Sequence, residues 1–474
     1  MSSIKPKIII RTTCSTVLKD ASKCGISDFL ANIVAGRTNT QDPTDTCRLE
    51  KIINPSLRNM ANPKLLKNAE FAATRIVQAI NNQEHFGIVT DYDVDGITSH
   101  AIIYNALLTC GVDKQYLHSF IGHRINDGYG VSENLVNKIL KNHEKVSVII
   151  TADCGSSDEK RITTLKENNI DVIVSDHHMI PDAGVPKSAY AVVNPIQHDC
   201  EYPDKVIAGC MVSWLLMAEA RNVLVKQSGQ QIPTLSNLLD YVSLGTVADA
   251  VSLLNPTNRA IVLAGITLIN NKQRPCWMAL YKLLKKNNAQ FTCEDLGFQI
   301  GPRINARGRV DDPHAALHFL MAKDLSTADK YLNILDKDNQ QRRYIEKEML
   351  TVAKQQAEQI LLTNPHTPAI VCTDASFHLG VQGIVASRLV DAYGKPAIVL
   401  SGAKNPEHLV GSSRSTCDIH IKHALDYIAK QHPDIFIAYG GHKAAAGLTI
   451  LKKSLDIFKS CLQDAIIDQT QNAP

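Results

Sequence analysis

The chain has 474 residues, more than one hydrophobic core usually serves, so two packed domains are expected. Hydrophobic residues make up 44% and charged residues 20%, values that exclude an intrinsically disordered chain. A net charge of +3, from 50 basic and 47 acidic residues, excludes the strong positive field of a protein that coats DNA, so a nucleic acid would need a local basic groove.

The cysteines and the N-terminus indicate a reducing compartment. Twelve cysteines are present without a CxxC pair, so no zinc ribbon or thioredoxin-type motif is predicted, and most are expected to be small buried residues. The apolar run from Ile8 to Ile10 is too short for a signal-peptide core, and no stretch approaches the ~20 apolar residues of a spanning helix. We therefore expect a cytoplasmic protein without membrane contact.

Apolar periodicity predicts the elements of the first part of the chain. The first ~50 residues show little period and are predicted as an extension with short elements. The apolar stripe from Asn62 to Asn82 predicts an amphipathic helix. Short β-branched runs then alternate with helix-length segments, at 86–90, 146–151, 172–175 and 191–193. This alternation predicts βαβ units and a parallel sheet, in which ligands gather at the carboxyl ends of the strands.

A long helix and a second domain are predicted after this sheet. The stretch from Ser326 to Leu362 lacks Gly and Pro and predicts one connecting helix. Alternation resumes with strands at 369–373, 397–400 and 435–439 and a helix at 383–393. The fold class is therefore α/β, a parallel-sheet domain joined by a long helix to a smaller α/β domain. The predicted divisions are an N-terminal extension at 1–54, a first domain at 55–325, the helix at 326–364 and a second domain at 365–474.

Polar clusters with Asp or His follow three of the four predicted strands. The first cluster, DYDVDG, places Asp91, Asp93 and Asp95 directly after an apolar strand. Three close carboxylates repel one another unless a cation neutralises them, which favours a metal site. A calcium loop or a solvated turn is the alternative, although the helical run from Ile97 lacks the further oxygen ligands of a calcium loop.

Three further clusters contain similar potential ligands, but each of them is weaker evidence for a metal site when it is taken alone. The TADCG segment places Asp153 at a strand end, as many α/β loops do, and SDHH supplies His177 and His178. One histidine can bind a metal while the other faces a substrate, and two surface histidines are the alternative. GTVAD ends a helical stretch with Asp249, which alone could be only a helix terminus. Together these residues suit two Mn²⁺ or Mg²⁺ ions about 4 Å apart, which can clamp a phosphate and activate a water.

The order of the motifs DYDVDG, TADCG, SDHH and GTVAD closely resembles that of the DHH phosphoesterase family. Further segments resemble the RecJ branch of that family: His123-Arg124 with the GYG at 128–130, GPRINARGR at 301–309, and the segments at 378–388, 411–415 and 440–447. The resemblance covers roughly residues 55 to 450. It implies a DHH catalytic domain followed by a DHH-associated (DHHA1) substrate-binding domain.

The resemblance also implies roles for individual residues. The implied ligands of two divalent cations are Asp91, Asp93, Asp95, Asp153, His177 and Asp249, with Asp153 bridging the ions and Asp91 as a ligand or a support. His178 would face the scissile phosphate. The residues implied to contact nucleic acid are Arg124, Arg303, Asn305 and Arg309, and those near a terminal phosphate are Ser413, Arg414 and His442. Guanidinium groups suit this role because they make planar bidentate contacts with phosphate, although an isolated arginine is more often a solvated surface charge.

For the RecJ branch the resemblance implies metal-dependent hydrolysis of single-stranded DNA, from the 5′ end and with release of 5′-mononucleotides, in DNA repair and recombination. A helicase and a single-strand-binding protein are expected partners. The alternatives are a nanoRNase or nucleotide phosphatase of the same family, and an inactive Cdc45-like scaffold, which the presence of every motif acid disfavours. The chain ends about 27 residues after Gly447, too few for the OB-fold usual in bacterial relatives, so lower affinity or processivity is expected.

Overall fold

The computed structural model describes residues 13, 15–37, 46–123, 127–142, 145–286, 289–310 and 313–471. The chain divides into two units, of which the first comprises Met1–Gly308 with Asp312–Leu335 and the second Arg309–Asp311 with Asp336–Pro474. The division falls inside the predicted connecting helix. The reason is that Ala328, Leu332 and Leu335 belong to the core of the first unit, whereas Met349, Ala353 and Ala357 pack in the second.

A five-stranded parallel sheet in the order β2-β1-β3-β4-β5 forms the centre of the first unit, as the alternation predicts. Its strands are β1 (His85–Thr90), β2 (Leu117–Ile121), β3 (Val146–Ala152), β4 (Asp171–Ser175) and β5 (Ala191–Val193). Strand β2 was not predicted, because His118 and Ser119 interrupt its apolar pattern at the edge of the sheet.

Apolar cores cover both faces of this sheet, which is why the sequences of its central strands are continuous apolar runs. Phe86 and Ile88 of β1 point into the larger core, whereas Val89 belongs to a separate cluster with Ile149 and Val174. Successive side chains of a strand face opposite sides, so one apolar run serves two cores. Most of the described cysteines are buried free thiols, as expected for small core residues.

In the part of the chain that the structure describes, fourteen α-helices precede the long helix. They are α1 (Ser15–Lys23), α2 (Asp28–Arg37), α3 (Thr46–Ile53), α4 (Ala69–Asn81), α5 (Val94–Thr109), α6 (Glu133–Asn142), α7 (Glu159–Glu167), α8 (Gly209–Ser228), α9 (Leu239–Ala248), α10 (Pro256–Asn270), α11 (Pro275–Leu283), α12 (Cys293–Asp295), α13 (Gly301–Val310) and α14 (His314–Leu320). The long helix α15 (Leu325–Thr363) agrees closely with its prediction. Among the described residues, no helix combines the length and the apolar character needed to cross a membrane.

The predicted helix from Asn62 to Asn82 is wrong in its first part, where a 3₁₀ turn and a break precede α4. The break is at Asn68, whose φ of 65° is left-handed and whose side-chain amide donates to the Val192 carbonyl. Because this contact is 124 residues away along the chain, the local apolar period could not reveal it.

The second unit contains a mixed sheet in the order β6-β7-β8-β10-β9, in which β6 and β7 are parallel and the other pairs antiparallel. The elements that follow α15 are β6 (Ile370–Thr373), α16 (Gln382–Tyr393), β7 (Ala397–Gly402), β8 (His408–Arg414), α17 (Ile421–Gln431), β9 (Phe436–Gly441), β10 (Ala445–Leu451) and α18 (Leu455–Gln471). Strands β8 and β10 were not predicted, because their Gly, Ser and Ala residues resemble loop composition. The α/β class of both units is confirmed.

Candidate metal centre

The carboxyl ends of three neighbouring strands lie side by side in the first unit. In the sheet register Thr90 pairs with Ala152, and Ala152 pairs with Ser175, so β1, β3 and β4 end at the same level. The next residue in each case is an aspartate: Asp91, Asp153 and Asp176. The parallel register therefore brings three of the sequence clusters to one edge of the sheet.

Two carboxylates of DYDVDG are held by the starts of helices. Asp93 is the N-cap of α5 and accepts hydrogen bonds from the backbone N–H groups of Asp95 (2.9 Å) and Gly96 (3.1 Å). The buried Asp95 accepts from Gly209 N (2.6 Å) and Cys210 N (2.9 Å) at the first turn of α8. Both side chains are thus fixed by backbone amides before any cation arrives.

The turn after β3 holds Asp153 in an unusual backbone conformation. Asp153 is buried and has a φ of 59°, in the left-handed region that Asp and Asn tolerate better than most residues. Gly155 follows with a φ of 113°, and a β-carbon there would lie 2.7 Å from Thr151 Oγ1. The glycine of TADCG is therefore required by a tight turn.

Six acids and imidazoles named from the sequence, with His178, form three overlapping groups of potential ligand atoms. Within each group the atoms lie within 4.8 Å of one another: Asp153, His177 and His178; Asp95, His177 and Asp249; Asp91, Asp93 and Asp153. His177 Nε2 is 3.1 Å from Asp153 Oδ1 and 3.8 Å from Asp95 Oδ2, and its Nδ1 is 3.8 Å from Asp249 Oδ2. Two groups share Asp153, and the bridging role of this residue stays a prediction.

The charges of this cluster fit divalent cations. Burial, followed by repulsion from Asp95, Asp93 and Asp91, raises the pKa of Asp153 well above its ordinary value. Burial and the charges of Asp95 and Asp93 raise the pKa of Asp249 to about 8. Buried carboxylates that resist ionisation beside one another are stabilised by a nearby positive charge, and a set of oxygen and imidazole ligands without thiolate suits Mn²⁺ or Mg²⁺.

We predict that Mn²⁺ affinity rises about 10- to 100-fold between pH 6 and pH 8. The raised pKa of Asp249 means that the metal-free centre holds a proton through this range, and the cation must displace it. The same shift stabilises the metal-free fold at low pH, a contribution lost as the pH rises from about 4 to about 8, so the gain in Tm from Mn²⁺ should grow with pH. Titration calorimetry in buffers of different ionisation enthalpy measures the released proton. An affinity independent of pH contradicts the prediction.

Asp176 and Tyr129 orient His178, and neither was named as a site residue from the sequence. His178 Nδ1 lies 2.9 Å from Asp176 Oδ1 and 2.9 Å from the Tyr129 hydroxyl, which itself donates to the Asp153 carbonyl at 3.1 Å. Burial opposes a charge on His178, but Asp176 outweighs it and raises the pKa of His178 to about 9. The segments SDHH and GYG contained both residues, and only the fold shows that they converge on one imidazole nitrogen.

Asp176→Asn is expected to lower kcat about 10- to 100-fold with little change in KM, because it removes the carboxylate that fixes the His178 ring. The buried Asp176 also accepts hydrogen bonds from three backbone amides, so the isosteric amide is the least disruptive substitution. Steady-state kinetics at saturating Mn²⁺ measures the effect. Glu159→Gln, a change at an exposed acid on α7, should leave kcat unaltered. An unaltered kcat in Asp176→Asn would mean that Asp176 does not position His178.

Helix α13 supports the same edge of the sheet. Asn305, implied as a nucleic-acid contact, accepts a hydrogen bond from Val94 N at 3.0 Å through its side-chain oxygen. Val94 lies between Asp93 and Asp95, so Asn305 stabilises the turn that carries both carboxylates. Arg303 donates to the Gln299 carbonyl at 2.6 Å. The contacts of Arg303 and Asn305 with nucleic acid stay predictions.

Two other predicted contacts cannot be placed. Arg124 lies outside the described residues, and the side chain of Arg309 lies outside the described part of α13. Their implied contacts with nucleic acid also stay predictions.

The residues implied to bind a terminal phosphate lie in the second unit. The Ser413 hydroxyl is buried between β8 and β10, where it donates to the Ala446 carbonyl at 2.9 Å and accepts from Ala446 N at 3.1 Å. Arg414 donates to the Ser413 carbonyl, and a β-carbon at Gly383 would lie 2.8 Å from Arg414 Nη2. The guanidinium thus lies on the first turn of α16. His442 accepts from Ala444 N at 3.3 Å. Ser413 has a structural role in the sheet, and phosphate binding by the three residues stays a prediction.

Two family models match the chain. The model described as the DHH family, N-terminal domain, matches residues 85–246, and the DHHA1 domain model matches residues 366–468. The single-stranded-DNA-specific exonuclease RecJ of Haemophilus influenzae is 35% identical over 427 residues, covering 88% of this chain and 72% of that protein. The RecJ of Escherichia coli is 32% identical over 412 residues, covering 85% of this chain and 70% of that protein.

Solved structures of RecJ proteins are also similar to this chain. An exonuclease RecJ bound to manganese superposes with a TM-score of 0.69 at 29% identity, covering 86% of this chain and 97% of that one. RecJ from Thermus thermophilus in complex with Mg²⁺ gives a TM-score of 0.64 at 27% identity, covering 85% of this chain and 53% of that one. The four motifs, their convergence at the edge of the parallel sheet and these similarities show that the chain belongs to the RecJ family of DHH-domain proteins.

Proposed function

We propose that this protein is a metal-dependent exonuclease that hydrolyses phosphodiester bonds of single-stranded DNA. The observation that carries the proposal is the set of three overlapping groups of carboxylate and imidazole ligands at the edge of the parallel sheet. The RecJ relatives are named as single-stranded-DNA-specific exonucleases, at 35% and 32% identity over most of the chain. Every acid of the four motifs is present, which favours an enzyme over an inactive scaffold.

The cofactors proposed for this site are two divalent cations, Mn²⁺ or Mg²⁺. The residues that would hold them are Asp91, Asp93, Asp95, Asp153, His177 and Asp249. When bound, such ions polarise a phosphate and lower the pKa of a coordinated water. Without them, the carboxylates would repel the phosphates of DNA, so the chain's own charges make hydrolysis dependent on metal.

The catalytic role of the chain beyond metal binding falls to His178. Asp176 and Tyr129 both contact its Nδ1, so Nε2 is the nitrogen left to face the substrate. The protonated ring, favoured by Asp176, would stabilise the charge that develops on the phosphate oxygens. Bound cations would lower the pKa of His178 from the metal-free value, because they neutralise the surrounding carboxylates.

The proposal also includes the polarity of the enzyme, its products, its cellular role and its partners. The enzyme acts from the 5′ end, releases 5′-mononucleotides and serves DNA repair and recombination in the cytoplasm. A helicase supplies single strands from duplex DNA, and a single-strand-binding protein covers them. In the second unit, Arg414 on the first turn of α16 is the residue best suited to a terminal phosphate, because a guanidinium and helix-start amides both favour an anion.

Digestion of 5′- and 3′-labelled single-stranded DNA and RNA with Mn²⁺, from dinucleotides to long oligomers, tests this function. We expect long single-stranded DNA to shorten from the 5′ end, with mononucleotide products and no cleavage by Asp153→Asn. Cleavage of very short oligomers alone would replace the proposal with an oligonucleotide-clearing enzyme. If no strand is cleaved with Mn²⁺ or Mg²⁺, the chain is a binding scaffold.

A further inference from the structure

Phe298 is a large exposed aromatic side chain on a segment that packs against two of the motifs of the metal centre. It exposes 72% of its surface, although it lies on a short π-helix, Leu296–Ile300, whose first and last residues are fully buried. The buried ends anchor the segment, so the exposed ring is held on a fixed support. Single π-turns of this kind frequently occur at functional sites.

The π-helix packs against residues of two metal-binding motifs. A β-carbon at Gly297 would lie 3.6 Å from Val247 Cγ1, and Asp249 follows Val247 by two residues. From these contacts and standard backbone dimensions, the Phe298 backbone lies at most roughly 17 Å from that of Asp249. On the other side of the segment, a β-carbon at Gly301 would lie 3.9 Å from Val94 Cγ2. Phe298 is thus supported on the same frame as the catalytic carboxylates.

A basic residue, Arg303, follows Phe298 five positions later in the chain. Arg303 Nη1 reaches back one helical turn to the Gln299 carbonyl at 2.6 Å and lies 3.4 Å from Gln299 Oε1. The guanidinium is therefore held over the residue that follows Phe298. Proteins that bind single-stranded nucleic acids combine exposed aromatic rings, on which bases stack, with basic groups that follow the backbone.

We propose that Phe298 stacks on a nucleobase of the single-stranded substrate close to the scissile phosphate. The proposal rests on the proposed function and adds to it a contact with the base rather than with the phosphate. Stacking tolerates any sequence because every base has a π-face, as an exonuclease of general specificity requires. A stacked base would also fix the strand against sliding while the bond at the metal centre is broken.

Binding measured without cleavage separates stacking from charge. In the Asp153→Asn background, single-stranded oligonucleotides are compared with strands of equal length and charge that carry one abasic site at successive positions. We expect Phe298→Ala to weaken binding of the intact strand roughly 5- to 100-fold. An abasic site at the stacked position should weaken binding by the parent to the same extent and have no further effect on Phe298→Ala.

Phe298→Trp gives a second readout that does not depend on affinity. The chain has two other tryptophans, so the added indole is identified by difference. Its fluorescence should be quenched by the intact strand and restored when the abasic site is at the stacked position. Phe71→Ala is the matched control, since Phe71 is also an exposed aromatic but already stacks on Tyr190 at 4.8 Å, and it should leave DNA affinity unchanged.

Two results would overturn the proposal. If Phe298→Ala binds intact and abasic strands as the parent does, the ring does not contact the substrate. Its exposure would then indicate a contact with a protein partner instead. If Phe298→Trp is quenched equally by every strand, the contact is not with a base. Failure of the proposed function is seen separately, as the absence of cleavage by the protein with native Asp153, because neither binding readout requires turnover.

Discussion

We expect Asp153→Asn to lower kcat by about 10³-fold or more without unfolding the protein. Asp153 belongs to two of the three groups of potential ligands, so we expect its loss to weaken the binding of both proposed cations at once. Each cation contributes several kcal/mol to stabilising charge in the transition state, and 1.36 kcal/mol corresponds to a factor of ten in rate. Single-turnover digestion of labelled DNA at saturating Mn²⁺ measures the loss.

Asparagine is the appropriate replacement because Asp153 has a left-handed φ of 59°. Asparagine tolerates that conformation, whereas alanine would add backbone strain to the loss of the ligand. The amide also removes a buried carboxyl whose pKa is raised by burial and by neighbouring acids. The metal-free variant should therefore melt at the same temperature as the metal-free parent, or higher, at pH 8. A fall in Tm of several degrees would mean that lost activity reports misfolding.

Asp240→Asn is the matched control, and we expect the opposite pattern. Asp240 is equally buried in the first unit, but it accepts hydrogen bonds from Arg274 Nε (2.6 Å) and Trp277 Nε1 (2.7 Å), whereas Asp153 lies among other acids. Removing its charge leaves Arg274 without its carboxylate partner and should cost about 3 kcal/mol of stability. Activity per folded molecule should be unchanged. A large drop in kcat for this variant would show that the assay responds to any buried acid.

Gly96→Ala is expected to reduce activity at least ~100-fold. A β-carbon at Gly96 would overlap the Asp91 carbonyl oxygen and lie 2.6 Å from the carbonyl carbon. Because that neighbour is backbone, the substitution must displace Asp91 or the first turn of α5, whose N–H groups hold Asp93. Overpacking of this kind costs about 1–3 kcal/mol, and it would move metal ligands by a few tenths of an ångström or more.

Mn²⁺ affinity and kcat of Gly96→Ala should fall together, which titration calorimetry and kinetics can compare. Gly402→Ala in β7 is the control, because nothing lies within 4 Å of its added β-carbon. It should match the parent in both measurements. Native Mn²⁺ affinity in Gly96→Ala would show that the turn relaxes without moving its carboxylates.

The α/β class and four strands of the first sheet, β1, β3, β4 and β5, were predictable because these strands are almost fully buried on both faces. Burial on both faces requires continuous apolar runs, and such runs are visible in the sequence. Strands β2, β8 and β10 were missed for the converse reason: Ser119 and the small residues of β8 pair through their backbone groups and need no continuous apolar run. The break at Asn68 depends on the distant Val192 carbonyl, which no local pattern contains.

The sequence by itself determined which side chains meet at the candidate metal centre: acids and imidazoles directly after apolar strands, on a sheet whose parallel strands end at one edge. The order of strands and polar clusters along the chain is enough to predict this, because the carboxyl ends of parallel strands lie at the same edge of the sheet. Only the tertiary structure decided how the groups are held. Asp95 is fixed by amides of α8, Val94 by Asn305 from α13, and His178 by Asp176 and Tyr129. These contacts join residues up to 211 positions apart, so they follow from packing and not from any local propensity.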